Sequence, residues 1–338
     1  MNTLTTVASA FVYNMLEGAR AKGFDVSRVL LDSGISPQAL GQERSRVTFD
    51  QLARLKLSLI KLLGDEYIGL LETPQPSGAF KLCCYCAINA ETIGESLRLF
   101  AQFANLQKSG LVHEVSVGGG ASRYGVRRRP AALVRNNYVI EYILLTVHRM
   151  HCWMANKRLA LVGVNLDFAR PEYASEYRYV FYGAPVKFDA SDSSIMFRDD
   201  DLALPNTRTI DELKAFLLST PITLLHETID SHDMSARVRR RLQQELVTNY
   251  RLPDFNSSAA YFRLHPQTLR RRLKRDGTSF KQIKLEVRRD LAINLINSGE
   301  HSVEEIADRL DYSEPAAFIR AFKNWLGMTP LAYRKLHE

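Results

Sequence analysis

Residues 256–335 carry one pattern twice: a short helix, a turn and a longer helix. In the first copy Ala259 precedes Leu269, Arg271, Leu273 and Gly277; in the second Ala307 precedes Phe318, Arg320, Phe322 and Gly327. The pairs Leu269/Phe318, Arg271/Arg320 and Leu273/Phe322 share an offset of 49 residues, the mark of an internal repeat. A small residue on the first helix lets the second approach closely, and the apolar pair locks it there, which is a helix-turn-helix. The sequence punctuates these helices clearly. Asn256 is expected to cap the first short helix, Pro266 to open the next and Gly277 to stop it. Ser279 starts a long connecting helix that ends near Ser298-Gly299, and Ser302 with Glu305 has capping-box spacing. Ser313 is expected to cap the next helix, with Pro315 in its first turn and Gly327 at its end, before Thr329-Pro330 opens a last short one.

Charge sets this segment apart. From Arg237 onward 20 Lys and Arg stand against 12 Asp and Glu, a surplus of 8 that equals the net charge of the whole chain, so residues 1–236 balance to zero. A neutral large segment joined to a basic small one points to a regulatory domain attached to a polyanion-binding domain. The longer helix of each repeat is the expected reader. Arg270, Arg271, Arg272, Lys274 and Arg275 crowd the first, and Gln267 and Thr268 sit in its first turn, placed for base edges or phosphates. A guanidinium grips guanine O6 and N7, or a phosphate, in a bidentate way. In the second, Ala316, Ile319 and Arg320 are expected on the exposed face, with Lys323 in reach of a phosphate. The connecting helix of about 19 residues spans ~28 Å, close to the ~34 Å between successive major grooves on one face of DNA.

The rest of the chain reads as α+β. Helical apolar spacing runs over Thr6–Ala21, Phe49–Leu63, Glu91–Ala104 and Asn136–Met154. Strands are expected at Leu111–Val117, Tyr124–Arg128, Leu159–Phe168, Val186–Phe188 and Ile195–Phe197, with Gly118-Gly119-Gly120 as a turn. The fold class is therefore an α+β N-terminal regulatory domain, its sheet covered by helices on one side, followed by an all-α C-terminal domain. That second domain holds two helix-turn-helix units joined by a long helix. Domain bounds fall at 1–218 and 234–338 with a linker at 219–233, and the two units lie at about 256–277 and 303–327.

The stretch from Asn256 to Lys335 resembles the DNA-binding domain of the AraC/XylS family of bacterial transcription regulators. The second unit carries the resemblance through Ile306, Ala307, Leu310, Phe318, Arg320, Phe322, Lys323, Gly327, Pro330, Tyr333 and Arg334. The first carries it through Pro266-Gln267-Thr268-Leu269, Arg271, Leu273, Gly277 and Arg288. The resemblance implies base contacts at Gln267, Arg270 and Arg271, then at Pro315, Ala316, Ile319 and Arg320. Two departures stand out: Arg263 and Asp311 occupy turn positions that usually carry Gly, and His265 replaces the usual Ser cap. Earlier in the chain LLDSGI (30–35), LGDEYIGL (63–70), PSGAFKL (76–82) and YGAPVKFDA (182–190) are similar to the regulatory domain in the ornithine-utilisation-regulator branch of this family. Such domains dimerise and sense a small effector; these motifs define no pocket, so the effector-binding residues are unknown.

Other candidate sites read as structural. Cys83-Cys84-x-Cys86, taken as strand residues, and Cys152 fit small apolar core positions better than a metal site. Arg127-Arg128-Arg129 with Arg135 fits a solvated edge strand better than an anion site, and His113, His148 and His226 stand alone. No phosphate-binding glycine loop and no catalytic set appear, so no enzymatic activity, cofactor or metal is expected. No apolar run approaches the ~18 residues of a membrane span, and no signal peptide is evident. The expected protein is a cytoplasmic, sequence-specific transcription regulator, an activator by the resemblance, with double-stranded promoter DNA and RNA polymerase as partners. A homodimer through residues 1–218 and control by an unknown small-molecule effector or protein partner complete the expectation. The alternative is a cysteine-based redox or metal sensor, or a DNA-repair-type protein, built on the same DNA-binding domain.

Overall fold

The computed structural model describes residues 6–41, 44–120, 122–130, 133–218, 220 and 234–336. In chain order the elements are β1 (Thr6–Ala8), α1 (Ala10–Ala21), α2 (Ser27–Asp32), α3 (Pro37–Leu40), β2 (Arg46–Thr48), α4 (Phe49–Leu63), α5 (Ala79–Ala87) and α6 (Ile93–Leu106). Then come β3 (Leu111–Ser116), β4 (Ser122–Arg128), α7 (Asn137–Met154), β5 (Leu161–Asn165), a 3-10 turn (Glu172–Glu176), α8 (Tyr177–Val180), β6 (Val186–Lys187), β7 (Ser193–Phe197), α9 (Asp199–Leu202) and α10 (Ile210–Leu218). The chain closes with α11 (Met234–Asn249), α12 (Phe255–Tyr261), α13 (Pro266–Arg275), α14 (Phe280–Ser298), α15 (Val303–Arg309), α16 (Pro315–Leu326) and α17 (Pro330–Lys335). Apart from Thr220, the linker expected at 219–233 lies outside the described residues, as does His226.

The architecture is an α+β N-terminal region followed by a helical C-terminal region with two helix-turn-helix units joined by a long helix. The chain divides into two compact units. One takes in the described residues of 10–29 and 53–230; the other joins those of 1–9 and 30–52 to the C-terminal helices from α11 onward. In the first, a five-stranded sheet runs β3-β4-β7-β5-β6, antiparallel except for the β5–β6 pair. Tyr124 and Val126 are buried on β4 while Arg123 and Arg127 point outward, the alternation of a sheet with one packed face. Helix α6 packs on β3 and α7 on β7. Of the 18 residues of α7, 15 are buried, so this helix is enclosed all round and carries Glu141, His148 and His151 into the interior.

Two readings of the N-terminal region are corrected. Thr6–Ala21 is not one helix: β-branched Thr6 and Val7 pair antiparallel with Thr48 and Val47, and helix begins only at Ala10. Cys83, Cys84 and Cys86 lie on α5, not on a strand; Ala79, Cys83, Cys84 and Ala87 form its buried stripe. Helical residues two positions apart diverge by about 200°, so Cys84 and Cys86 do not share a face.

In the second unit one core unites α11 to α17. Val238, Leu242 and Leu246 of α11 share it with Leu269 and Leu273 of α13, Val287 and Ile293 of α14, and Phe318 and Phe322 of α16. The β1–β2 ribbon belongs to the same unit. Arg46 Nε donates to Thr6 Oγ1 at 2.8 Å, Thr6 Oγ1 donates to the buried Asp290 carboxylate of α14 at 2.7 Å, and the Tyr333 hydroxyl donates to the Arg46 carbonyl at 3.4 Å. Capping follows the expectation at Ser279, Ser302 with Glu305, and Thr329. It departs at two places. Asp254, not Asn256, caps α12 by accepting from Ser257 N at 2.8 Å, because the helix starts two residues earlier than expected. Glu314 rather than Ser313 holds the N-cap position of α16, with no side-chain cap bond.

Candidate nucleic-acid interface

Each helix-turn-helix is set by small and apolar residues on its inner side. Ala259 is fully buried where α12 meets α13, and Leu269 and Leu273 fill the space below; Ala307, Phe318, Phe322 and Leu326 repeat the arrangement with α15 and α16. The two departures from the expected turn sequence both adopt the left-handed backbone, with φ of 53° at Arg263 and 60° at Asp311. His265 serves as the α13 cap: its Nδ1 accepts from Gln267 N at 3.3 Å. The second turn has a dedicated fastener in Arg288 of α14. Its Nε donates to the Leu310 carbonyl at 2.9 Å and Nη2 to the Asp311 carbonyl at 2.7 Å and carboxylate at 3.0 Å, while the guanidinium stacks 4.6 Å from the Tyr312 ring.

Locking the inner stripe leaves the opposite face of each longer helix to solvent. On α13, Gln267, Arg270, Arg271 and Lys274 are exposed and Thr268 is half-buried. On α16, Pro315, Ala316, Arg320 and Lys323 are exposed, while Ile319 is half-buried and packs against the core. The structure thus groups five expected contact residues on each of two helices, with Ile319 the one partly committed to packing.

Basic residues sort into two sets. Arg239 pairs with the buried Glu286, Arg289 with the buried Asp290 at 2.8 Å, and Arg309 donates to the Tyr250 hydroxyl at 3.0 Å. Arg237 and Arg241 lie over the Phe262 and Tyr261 rings at 5.0 and 3.7 Å. These side chains are engaged within the unit. Arg270, 5.4 Å over the Phe255 ring, keeps an exposed head group, and Arg271, Lys274, Arg320 and Lys323 stand open to an incoming polyanion. Sequence reasoning missed the buried acids Glu286 and Asp290. Their signal was an i, i+4 pair of carboxylates on the same stripe as Ile283 and Val287, where acids need cationic partners.

Elsewhere Arg127 and Arg128 lie on β4, which is not the expected edge strand but is paired with β3 and β7 on its two sides, and several of the declined candidates have structural partners. Arg128 pairs with Asp167 and donates to Asn137, and Arg127 reaches Glu114 at 3.3 Å. His113 Nδ1 lies 2.8 Å from the Tyr124 hydroxyl and His148 Nε2 lies 2.8 Å from the Leu159 carbonyl. Burial raises the Cys83 and Cys84 thiols well above their ordinary range and Cys152 to about 12, so they stay protonated, and the reactive species is the thiolate. Among the described residues no group of His, Cys, Asp and Glu is arranged to hold a metal ion, and no helix is long and apolar enough to cross a membrane.

Both regions of the chain are similar to known proteins. Residues 258–336 match the family model of a helix-turn-helix domain. The Ornithine utilization regulator of Pseudomonas aeruginosa is 24% identical over 321 residues, covering 92% of this chain and 89% of that protein. The Urease operon transcriptional activator of Escherichia coli is 41% identical over 69 residues, covering 20% of this chain and 23% of that protein. The crystal structure of the transcriptional regulator CdpR from Pseudomonas aeruginosa aligns over 79% of this chain and 89% of its own, with 20% identity and a TM-score of 0.31. Residues 23–206, more than half of the chain, match the arabinose-binding N-terminal domain of AraC, and with the helix-turn-helix match this places the protein in the AraC family of DNA-binding transcription regulators, with a ligand-binding type of N-terminal domain.

Proposed function

We propose that this chain is a sequence-specific activator that lays α13 and α16 into two successive major grooves of promoter DNA. The observation that carries the reading is the sorting of the basic residues: structural arginines are engaged within the fold, while both longer helices keep open polar rows. Gln267, Thr268, Arg270, Arg271 and Lys274 form the first contact set, and Pro315, Ala316, Ile319, Arg320 and Lys323 the second. Arginines read guanine edges or phosphates, and Ala316 and Ile319 suit thymine methyl groups. The 19 residues of α14 give ~28 Å between the two units, close to one helical turn of DNA. Residues 1–218 supply homodimerisation and effector control in the cytoplasm, residues 219–233 serve as the linker, and the bound protein contacts RNA polymerase. Activation agrees with the names of the urease and virulence activators among the relatives. The role is regulatory rather than enzymatic.

The test is retention of sheared genomic DNA from the source organism by the full-length protein, followed by sequencing. Two recurrent short boxes about one helical turn apart are the expected result. Uniform, salt-sensitive retention without a motif, with and without effector candidates, would reduce the C-terminal region to a polyanion grip and overturn the reading.

A further inference from the structure

Lys56 of α4 lies in the interior of the unit built on the five-stranded sheet, 1% exposed. An ammonium has three donors and, when buried, needs acceptors for them. Its Nζ sits 4.0 Å from the centre of the Tyr142 ring, and among the described residues no hydrogen-bond acceptor or carboxylate pairs with it. The nearby acids are engaged elsewhere. Asp65 accepts from the backbone amides of Tyr67, Gly69 and Gln75 at 2.7–3.0 Å, and Glu66 from those of Gly78 and Phe80 at 2.6 and 2.8 Å. They attract Lys56 from a distance without satisfying its donors.

Tyr67 and Tyr142 meet edge to face with centroids 6.2 Å apart. Both keep accessible surface, yet burial raises their phenols, that of Tyr142 to about 12. Both rings therefore retain surface that the protein does not cover. Burial holds Lys56 down to about 7 and pushes the Glu66 carboxyl up, so the walls carry less charge than their composition suggests.

We propose that Lys56, Tyr67 and Tyr142 form the effector site, and that its ligand is a small carboxylate with a flat or apolar body. The carboxylate supplies the acceptors and counter-charge that Lys56 lacks, and the body lies against the two tyrosine rings. A neutral polyol would satisfy hydrogen bonds but leave the buried cation without an adjacent counter-ion. This assignment rests on the reading of the N-terminal domain as an effector domain, and it names the ligand class.

The test is reductive labelling of the full-length protein with glyoxylate and cyanoborohydride near neutral pH, read by peptide mass spectrometry. Lys56 is expected to take up the label in the folded protein. Benzoate and hexanoate should slow that labelling several-fold, whereas L-arabinose and hexanol should not. Because labelling removes the residue under study, a second measurement uses Lys56→Met. Benzoate should raise the Tm of the parent protein and leave that of the folded Lys56→Met protein unchanged. Protection by arabinose instead of carboxylates overturns the ligand class and keeps an effector site. A Lys56 that no reagent reaches overturns the site itself, while DNA retention with two boxes would still uphold the regulator.

Discussion

Arg271 and Arg320 occupy matched positions in the two repeats, and both are exposed. If each makes a bidentate base contact, Arg271→Ala and Arg320→Ala should each weaken cognate binding by roughly 1–3 kcal/mol. Competition titrations against random DNA check this: equal losses on both DNAs would demote the arginines to phosphate contacts. Arg263 makes a different prediction. A left-handed backbone costs an L-residue about 1–2 kcal/mol that glycine avoids, offset in part by the greater chain freedom glycine has when unfolded. Arg263→Gly should therefore raise stability by about 0.5–1 kcal/mol in denaturant titrations. Glu141 concerns pH. It is 2% exposed, accepts from the Tyr173 and Tyr177 hydroxyls at 2.9 and 2.6 Å, and burial raises it to about 7. Between its unfolded value of 4.5 and about 7 the folded state holds a proton that the unfolded state has lost. Stability from this group is thus full below about 4.5 and is lost as pH rises towards 7. Glu141→Gln keeps an acceptor for both hydroxyls and should flatten the Tm profile across that window, gaining most relative to the parent above pH 7.

At the scale of the element, the second helix-turn-helix depends on a residue outside it. Arg288 bridges α14 to the turn through three hydrogen bonds, and nothing in the local sequence of α15 or α16 replaces it. Arg288→Ala should cost about 2 kcal/mol in unfolding experiments. Footprinting should then lose protection at the second box before the first. Lysine at this position keeps the charge but not the fork, so Arg288→Lys should recover only part of the loss. The helix ends show how far local sequence reaches. Ser279, Ser302 with Glu305, and Thr329 were legible because a cap needs only its own next three residues. Ser313 was misplaced because Glu314 begins α16 without a side-chain bond, leaving packing of Phe318 and Phe322 to set its start.

For the whole molecule, charge placement governs how DNA is held. All of the net charge of +8 resides after residue 236, and part of it is engaged inside the fold. Counterion release by the remaining lysines and arginines should make log K fall linearly with log salt. Replacing Lys323 by Ala should lower that slope by about one for DNA of any sequence, measured by fluorescence anisotropy.

The duplicated repeat, its apolar lock, the exposed polar faces of α13 and α16 and the basic surplus were settled by the sequence alone, because each depends on spacing within a helix or on a count. Tertiary structure decided what depends on partners far along the chain. Thr6 and Val7 fit a helical stripe until Val47 and Thr48 offered a strand to pair with, and Thr6 then reached Asp290. Arginines that look alike in the sequence divided into paired and open side chains only when Glu286, Asp290 and Asp311 were brought beside some and not others. Lys56 is one of six polar residues on an amphipathic helix in the sequence. It became a candidate ligand contact when folding buried it, placed Tyr142 against it and turned Asp65 and Glu66 towards the backbone.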